Sequence, residues 1–355
     1  MLSSELKSKI DTLKSRAPKI KLGRIDFDTP LLLAPMSAIC TAPFRTLMME
    51  LGAGGTVSEL ISCHGINHGN ERTRKMLELD PRERHTGLQL FGEDAESMAS
   101  AARIAESFGP DFVDINMGCP VRKVVTKGGG SALLKETAKL GGFFRTIKSA
   151  LTCPLTIKIR TGWDDESLNA EEVIRIAREE GVEFVAIHGR TRTQQYTGQA
   201  NWDYIEGLNQ AAVLPLIGNG DLHNYFQVRD RLQKTSCQAL MLGRGPLRNP
   251  FLFCDSFLRE GEASPFTPRD YLEVIEVLTE LMAPHYQDRI LVVQLRKHIM
   301  WFAAGFPGAS QFRASLFHQT LLEPTMELTR QYFLSLENKS KDIDPSEAFM
   351  TSGHG

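Results

Sequence analysis

Between residues 31 and 243 the chain repeats one pattern eight times: a short apolar run, too brief for a helix, ended by a polar or glycine-flanked residue. The runs cover 31–36, 56–60, 87–91, 112–116, 155–160, 184–188, 214–219 and 239–243. Most are continuous rather than alternating, as strands covered on both faces are. Amphipathic helical patterns lie between them, for example at 94–108, 136–150, 170–180 and 222–233. Eight strand–helix repeats predict an α/β fold of the (β/α)8 type, a TIM barrel. A doubly wound open sheet shows the same alternation. The polar residue at nearly every strand end favours the barrel, whose active sites gather on the rim those ends form.

The strand signal stops after Phe253. Residues 261–268 are small and turn-rich, and Thr267-Pro268 reads as an N-cap with proline at the first helical position. Helical patterns then fill 269–282, 288–304, 310–322 and 325–336. The expected organisation is a helical extension at 1–22, the barrel at 23–255, a small C-terminal all-helical domain at 256–336 and a disordered tail at 337–355. In the extension Leu2, Leu6, Ile10 and Leu13 recur at helical spacing, which predicts a short amphipathic helix docked on the body.

Composition excludes some classes. No apolar stretch approaches the ~20 residues of a membrane-spanning helix. Residues 1–16 mix charges and have no apolar core of a secretory signal. Six cysteines without a C-x-x-C pair suit a reducing cytoplasm. His64 and His68 lie four apart without an intervening Glu or a third ligand, so no metal site is expected. A net charge of −2 does not advertise a nucleic-acid binder, although a local basic stripe is compatible with a neutral total.

The strand ends carry the candidate chemistry. Met36 closes the first run, Gln89 lies in the third and Asn116 ends the fourth. Lys158 alternates with Thr156 and Arg160 on one face of the fifth. His188 and Arg190 end the sixth. Asn219 and Gly220 end the seventh, Gly243 and Arg244 the eighth. Glycine-rich turns after strands seven and eight make a phosphate site in many barrels: backbone N–H groups approach an anion where no Cβ intervenes, and Arg244 adds charge. Lys158 is costly to bury without a partner. It is either ion-paired or set beside the electron-rich edge of a bound group. Cys119 sits in a Gly/Pro-punctuated loop, unlike Cys40, Cys153, Cys237 and Cys254, which read as small buried apolar groups. It is a candidate proton donor or nucleophile. Arg122, Lys123 and Lys127 nearby would lower its pKa or bind an anionic substrate. Lys127-Gly128-Gly129-Gly130-Ser131 reads as a flexible lid beside it.

Together these segments carry a resemblance. APM (34–36), QLFG (89–92), DINMGCP (114–120), KGGGSALL (127–134), IKIRTGWD (157–164), IHGRTRTQQYTG (187–198), GNGD (218–221) and LGRGPLRNPFLF (242–253) resemble, in order, the tRNA-dihydrouridine synthases. The spelling of the cysteine loop and of HGRTR is similar to the bacterial B-type subgroup. RKHIMWF (296–302) resembles the signature of that family's tRNA-binding domain. The resemblance implies an FMN enzyme, monomeric and cytoplasmic, that takes hydride from NADPH (or NADH) and reduces the C5–C6 bond of uridine in tRNA. Met36, Gln89, Lys158, His188, Asn219, Gly220, Gly243 and Arg244 would contact FMN. Asn116 and Arg190 would lie near the flavin or the target base, with Lys127 on the substrate side. Cys119 would protonate C5 as hydride reaches C6. Arg296, Lys297 and His298 would meet the tRNA backbone. Against this, residues 256–336 hold seven Arg or Lys and nine Asp or Glu, an unexpected balance for an RNA-binding domain. The rival reading is an FMN barrel acting on a free pyrimidine, like the dihydropyrimidine and dihydroorotate dehydrogenases. It leaves RKHIMWF unexplained. A non-catalytic tRNA-binding protein that kept the fold is the other alternative.

Overall fold

A computed structural model describes residues 1–211, 214–337 and 339–341. Eight parallel strands close into a barrel: β1 (Leu31–Leu33), β2 (Gly55–Val57), β3 (Thr86–Phe91), β4 (Phe112–Met117), β5 (Leu155–Arg160), β6 (Val185–His188), β7 (Leu216–Asn219) and β8 (Ala239–Leu242). Each strand pairs with the next, and β8 returns to β1 through Leu240 opposite Leu31. The main helices on the outside are α2 (Ala42–Glu50), α3 (Ala95–Glu106), α4 (Thr137–Ser149), α5 (Ala170–Glu179), α6 (Trp202–Ala211) and α7 (Tyr225–Lys234). They follow α1 (Ser4–Lys14). Fold and strand order agree with the sequence pattern; several strand ends shift by one residue, and three strands differ by more, for local reasons. The seventh ladder starts at Leu216 because Pro215 has no N–H to give it. Pro35 likewise stops β1, after the Ala34 N–H has reached the Leu242 carbonyl. The second run is interrupted. The Ser58 hydroxyl accepts the Gln89 N–H at 2.9 Å, and the chain rejoins β3 only at Ile61–Ser62.

The barrel interior is graded along its axis. Its lower layers are apolar: Leu32, Val57, Phe112, Phe184, Ile217 and Ala239. A hairpin, Ile20–Leu22 with Ile25–Phe27, turns at Gly23 and plugs this end with Leu22, Ile25 and Phe27. Phe184 meets both Phe27 and Phe112 edge-on, with centroids 6.2 and 5.4 Å apart. The boundary expected at residue 22 therefore falls inside a hairpin that belongs to the barrel.

The N-terminal helix fastens the barrel to the helical domain. Ser3 caps α1, which buries Leu6, Ile10 and Leu13. Its Lys9 reaches Asp270 at 2.9 Å, and the Ser3 hydroxyl donates to Glu273 at 2.9 Å. Both acids lie on α8 (Pro268–Met282), which begins with a Thr267–Asp270 capping box. α9 (Asp288–Ala303), α10 (Ala309–Phe317) and α11 (Leu322–Ser335) complete the domain. Tyr271 anchors its core, edge-on to Phe251 and Phe306. The helix expected to run to 322 ends at Phe317, where the Arg296 guanidinium takes the carbonyls of Phe317 and Gln319. Of the tail expected at 337–355, residues 338 and 342–355 lie outside the described residues. Lys341 is not free of the body: its ammonium donates to the Phe302 carbonyl at 2.9 Å and sits 4.7 Å over the Tyr271 ring. Among the described residues no helix is long and apolar enough to cross a membrane.

Candidate active site

Strand register brings the polar residues together at the open end. Asn116 lies beside Lys158, Arg160 beside His188, and His188 beside Asn219 across adjacent strands. In a parallel sheet such neighbours point the same way, here inward above the apolar layers. Met36, Gln89, Asn116, Cys119, Lys158, His188, Arg190, Asn219, Gly220, Gly243 and Arg244 all line one cleft of about 1020 Å³, its solvent-filled mouth included.

Lys158 is a buried cation that forms no ion pair among the described residues; the Asp114 carboxylate acts on it only through space. Among the described residues its hydrogen-bond partner is the neutral Asn219 Oδ1, at 3.1 Å. Asn219 is fixed in turn by donating to the Met241 carbonyl at 2.7 Å. Burial, and then the neighbouring Arg160, push the Lys158 ammonium down to about 8. The cleft therefore holds a positive charge waiting for an anionic or electron-rich edge.

Burial also raises the Cys119 thiol above its ordinary value, against the pull of the Val121 N–H, Arg160 and Lys158. This corrects the expectation that Arg122, Lys123 and Lys127 lower it: those side chains are exposed, and Lys127 does not line the cleft. A thiol that keeps its proton at neutral pH suits an acid better than a nucleophile. The glycine run after it is a buttress rather than a lid. Ser131 donates to the Cys119 carbonyl from both N (3.2 Å) and Oγ (2.9 Å), and Gly130 is buried beneath the loop at φ +60°. A Cβ there would fall 2.9 Å from that same carbonyl.

Arg160 and Arg190 tie the rim loops together. Arg160, 2 % exposed, donates to the carbonyls of Gly118 (2.8 Å), Thr191 (2.8 Å) and Gln195 (2.7 Å). Arg190 uses all five of its N–H groups on Thr197, Gly198, His188 and both oxygens of Asp221. It lines the cleft as a brace, with no donor left for a base. Burial would raise the Asp221 carboxyl, but His223 at 3.8 Å, Arg190 and the Ala200 N–H together hold it well below its ordinary range. Because a guanidinium only donates, His188 Nε2 must accept from Arg190 at 3.2 Å, so the neutral ring carries its proton on Nδ1. Burial, followed by Arg160, Lys158 and Arg190, keeps that ring neutral.

The α9 residues divide. His298 is 3 % exposed, its Nδ1 donates to the Gln294 carbonyl at 3.1 Å, and it packs on Phe44 and Trp301. It faces barrel helix α2 rather than solvent and cannot meet a phosphate, because the signature's own aromatic residues bury it. Arg296 is occupied capping α10. Lys297 reaches the edge of the cleft, 3.5 Å from the Ala38 carbonyl.

Asp114, Tyr196 and Asp221 were given no role by sequence, and Arg160 was placed on the face of Lys158 without one. The signal existed for Asp114 and Arg160. Each lies two residues from a chosen side chain on the same strand, hence on the same face. Tyr196 offered none. Its ring reaches over the cleft to within 5.4 Å of Arg160 and 5.9 Å of Arg244 only because the 189–198 loop folds back.

Gly243 tests whether a phosphate-bearing group fits. A Cβ there would sit 3.9 Å from Ala34 and 4.0 Å from Met36, in ordinary contact, so no neighbouring side chain requires a glycine. What a Cβ would cover is the cleft wall beside Arg244. With the unneutralised Lys158 opposite, these residues fit a flavin phosphate and ring edge.

Residues 32–337 match the family model described as dihydrouridine synthase. A tRNA-dihydrouridine synthase B of Pseudomonas putida is 39% identical over 301 residues, 83% of this chain and 88% of that protein. The Pseudomonas aeruginosa tRNA-dihydrouridine synthase B is 34% identical over 91% of this chain and 98% of its own. A probable tRNA-dihydrouridine synthase of Rickettsia conorii is 34% identical over 84% and 91%. Among solved structures, the 6-hydroxypseudooxynicotine amine oxidase of Pseudomonas geniculata superposes with a TM-score of 0.53 at 12% identity, over 78% of this chain and 53% of that one. Histamine dehydrogenase from Rhizobium does so with the same TM-score and identity, over 77% and 51%. At that identity the likeness is one of fold. The family match and the relatives agree along nearly the whole barrel and helical domain, and the chain belongs to the dihydrouridine synthase family.

Proposed function

We propose that this protein is a tRNA-dihydrouridine synthase that reduces the C5–C6 double bond of a D-loop uridine, with FMN as cofactor and NADPH as reductant. The observation that carries the reading is the pairing, in one cleft, of a proton-retaining Cys119 with the buried, unneutralised Lys158. FMN, once reduced and bound, supplies the hydride. Gly243 and Arg244 would hold its phosphate, with Gln89 and Asn219 along the ring. Lys158 would stabilise negative charge at the ring's pyrimidine edge. His188 would offer its Nδ1–H. Cys119 would give its proton to C5 as negative charge builds there, the step for which a positioned acid is needed. The target base must leave its stack to reach the thiol. The polynucleotide would cross the rim between Lys297 and the exposed Arg122, Lys123 and Lys127, a path that would let a domain of negative balance take part in RNA binding. Six unpaired cysteines suit a reducing cytoplasm.

The test is nucleoside mass spectrometry of a uridine-only tRNA transcript after incubation with the protein, FMN and NADPH. A two-hydrogen gain on one D-loop uridine is the expected result. Turnover of free uracil or dihydroorotate, with tRNA from a synthase-deficient strain left unchanged, would overturn the reading.

A further inference from the structure

Asp114 lies below the rim, 3 % exposed, and touches neither the cleft nor solvent. Its carboxylate accepts from Thr156 Oγ1 at 2.6 Å and from Gln89 Nε2 at 2.7 Å. The other end of that amide, Gln89 Oε1, accepts from Asn116 Nδ2 at 2.9 Å. The other end of the next, Asn116 Oδ1, accepts from the backbone N–H groups of Cys119 (2.9 Å) and Gly118 (3.3 Å). The chain of bonds has one direction. An ionised carboxylate has no proton to give, so Gln89 must turn its NH2 downward and its oxygen toward Asn116. Asn116 must then turn its oxygen toward the thiol loop. Were either amide reversed, two donors or two acceptors would face each other in a buried space.

We infer that Asp114 is a positioning residue: acting through Gln89 and Asn116, it fixes the loop that carries the Cys119 thiol. This rests on the proposed reaction for its consequence, but the geometry stands apart from it. Burial raises the Asp114 carboxyl to about 6, and the Gln89 and Thr156 hydrogen bonds, followed by the charge of Lys158 on β5, oppose that rise, so the carboxylate form prevails at pH 7.5. Gln89 thus serves two ends at once: its backbone N–H is held by Ser58 and its side chain carries the polarity from β4 back to β4. The arrangement explains an aspartate in the middle of an otherwise apolar barrel strand.

The test needs neither flavin nor RNA, so its failure is separable from failure of the functional reading. Two quantities are read at pH 7.5: hydrogen exchange of the 117–119 amides and the alkylation rate of Cys119 by iodoacetamide. Asp114→Leu removes the acceptor, and Gln89→Met cuts the connection. Each is expected to raise both rates about tenfold, with the amides of β6 and β7 within about twofold of the natural chain. The double variant is expected to be no looser than either single one, since both cut one line. Should Asp114→Leu fail to fold, the exchange Asp114→Asn with Gln89→Glu replaces it. There the acceptor sits at 89 and the donor at 114, every bond can form again, and the loop is expected to match the natural chain while Gln89→Met alone does not. An unchanged loop in Gln89→Met, additive effects of the two single variants, or a loosened loop in the exchange would each overturn the inference. In the transcript assay the two single variants are expected to lower kcat at least tenfold with KM for RNA within about twofold, and the exchange to restore it. A purely structural aspartate would not be rescued this way.

Discussion

Lys158→Met is expected to make the flavin-free chain more stable and to reverse that order once FMN is bound. Burial, with Arg160 adding, takes the Lys158 ammonium from its ordinary 10.5 to about 8. At about 1.4 kcal/mol per pH unit, this costs the folded chain about 3 kcal/mol at neutral pH. Methionine keeps the aliphatic volume and removes the charge. It also removes the bond to Asn219, worth about 1 kcal/mol, and leaves that amide oxygen short of a donor. The net gain is about 1–2 kcal/mol. It carries a pH signature. Above about 8 the folded lysine loses its proton, while the unfolded one keeps it to 10.5. The unfolded chain then binds more protons, so the stability of the natural chain rises with pH across that window. The variant lacks this rise, and the gap closes toward pH 10. With saturating FMN at pH 7 the cation has its counterpart, and the natural chain becomes the more stable of the two. Urea denaturation of both chains, with and without FMN, at pH 7 and pH 10 checks all four corners. A flavin-free variant less stable than the natural chain at pH 7, or a gap that does not shrink with pH, refutes the buried-cation argument.

Other consequences are open to direct measurement. Cys119→Ala is expected to keep flavin and RNA affinity and to lose turnover by about 10²–10⁴-fold; unimpaired turnover removes the thiol from the proton-transfer step. With bound FMN keeping Lys158 charged, and burial raising the Cys119 thiol above its ordinary 9.0, kcat at saturating FMN is expected to stay level from pH 7 to 9 and fall only above, and a fall centred below pH 8 would contradict the assignment. Gly243→Ala is expected to leave the melting temperature unchanged, given the open contacts of its Cβ, yet weaken FMN at least tenfold by fluorescence titration. Gly87→Ala makes the contrasting case: its Cβ would lie 2.1 Å from the Phe112 ring, and soluble expression should collapse. Asp221→Ala leaves the Arg190 guanidinium buried and unpaired, which costs about 3–5 kcal/mol, and limited proteolysis should find the 191–198 loop opened.

The barrel was legible because its strands are covered on both faces, so apolar runs mark them without ambiguity. The cleft residues were legible for a related reason: a polar side chain ending such a run has one place to go, the rim. What sequence could not supply was the second partner of each interaction. Lys127 and the glycines after it read as a lid, since Gly-rich segments usually mark freedom; here Ser131 pins them under Cys119. His298 read as an RNA contact because Arg296 and Lys297 stand beside it. On a helix, consecutive residues point about 100° apart, and the turn that lets Lys297 reach the cleft edge puts His298 against Phe44. The N-terminal helix had a periodicity but no target, because Asp270 and Glu273 are some 260 residues away in the chain.

The inward positions of β4 show how a barrel carries this much buried charge. They run from Phe112 through Asp114 to Asn116: apolar at the plugged end, a carboxylate in the middle, an amide at the rim. On β5 Thr156 stands level with Asp114 and Lys158 with Asn116, and Arg160 lies one layer higher. Each buried charge is bonded to an amide or carbonyl that orients it: Asp114 by Gln89, Lys158 by Asn219, Arg160 by Gly118. Neutral dipoles fix direction without neutralising charge, so Lys158 stays poised for a ligand in a way that a lysine ion-paired to a carboxylate would not. The two buried guanidiniums differ in the same sense. Arg190, paired with Asp221, holds its loop in place, while Arg160, which has no carboxylate partner among the described residues and donates to three carbonyls, keeps its charge acting on Cys119 and Lys158. Exchanging those roles, with a carboxylate beside Arg160 and none beside Arg190, would preserve net charge and fold class yet remove the field that draws both the Cys119 thiol and the Lys158 ammonium toward losing their protons.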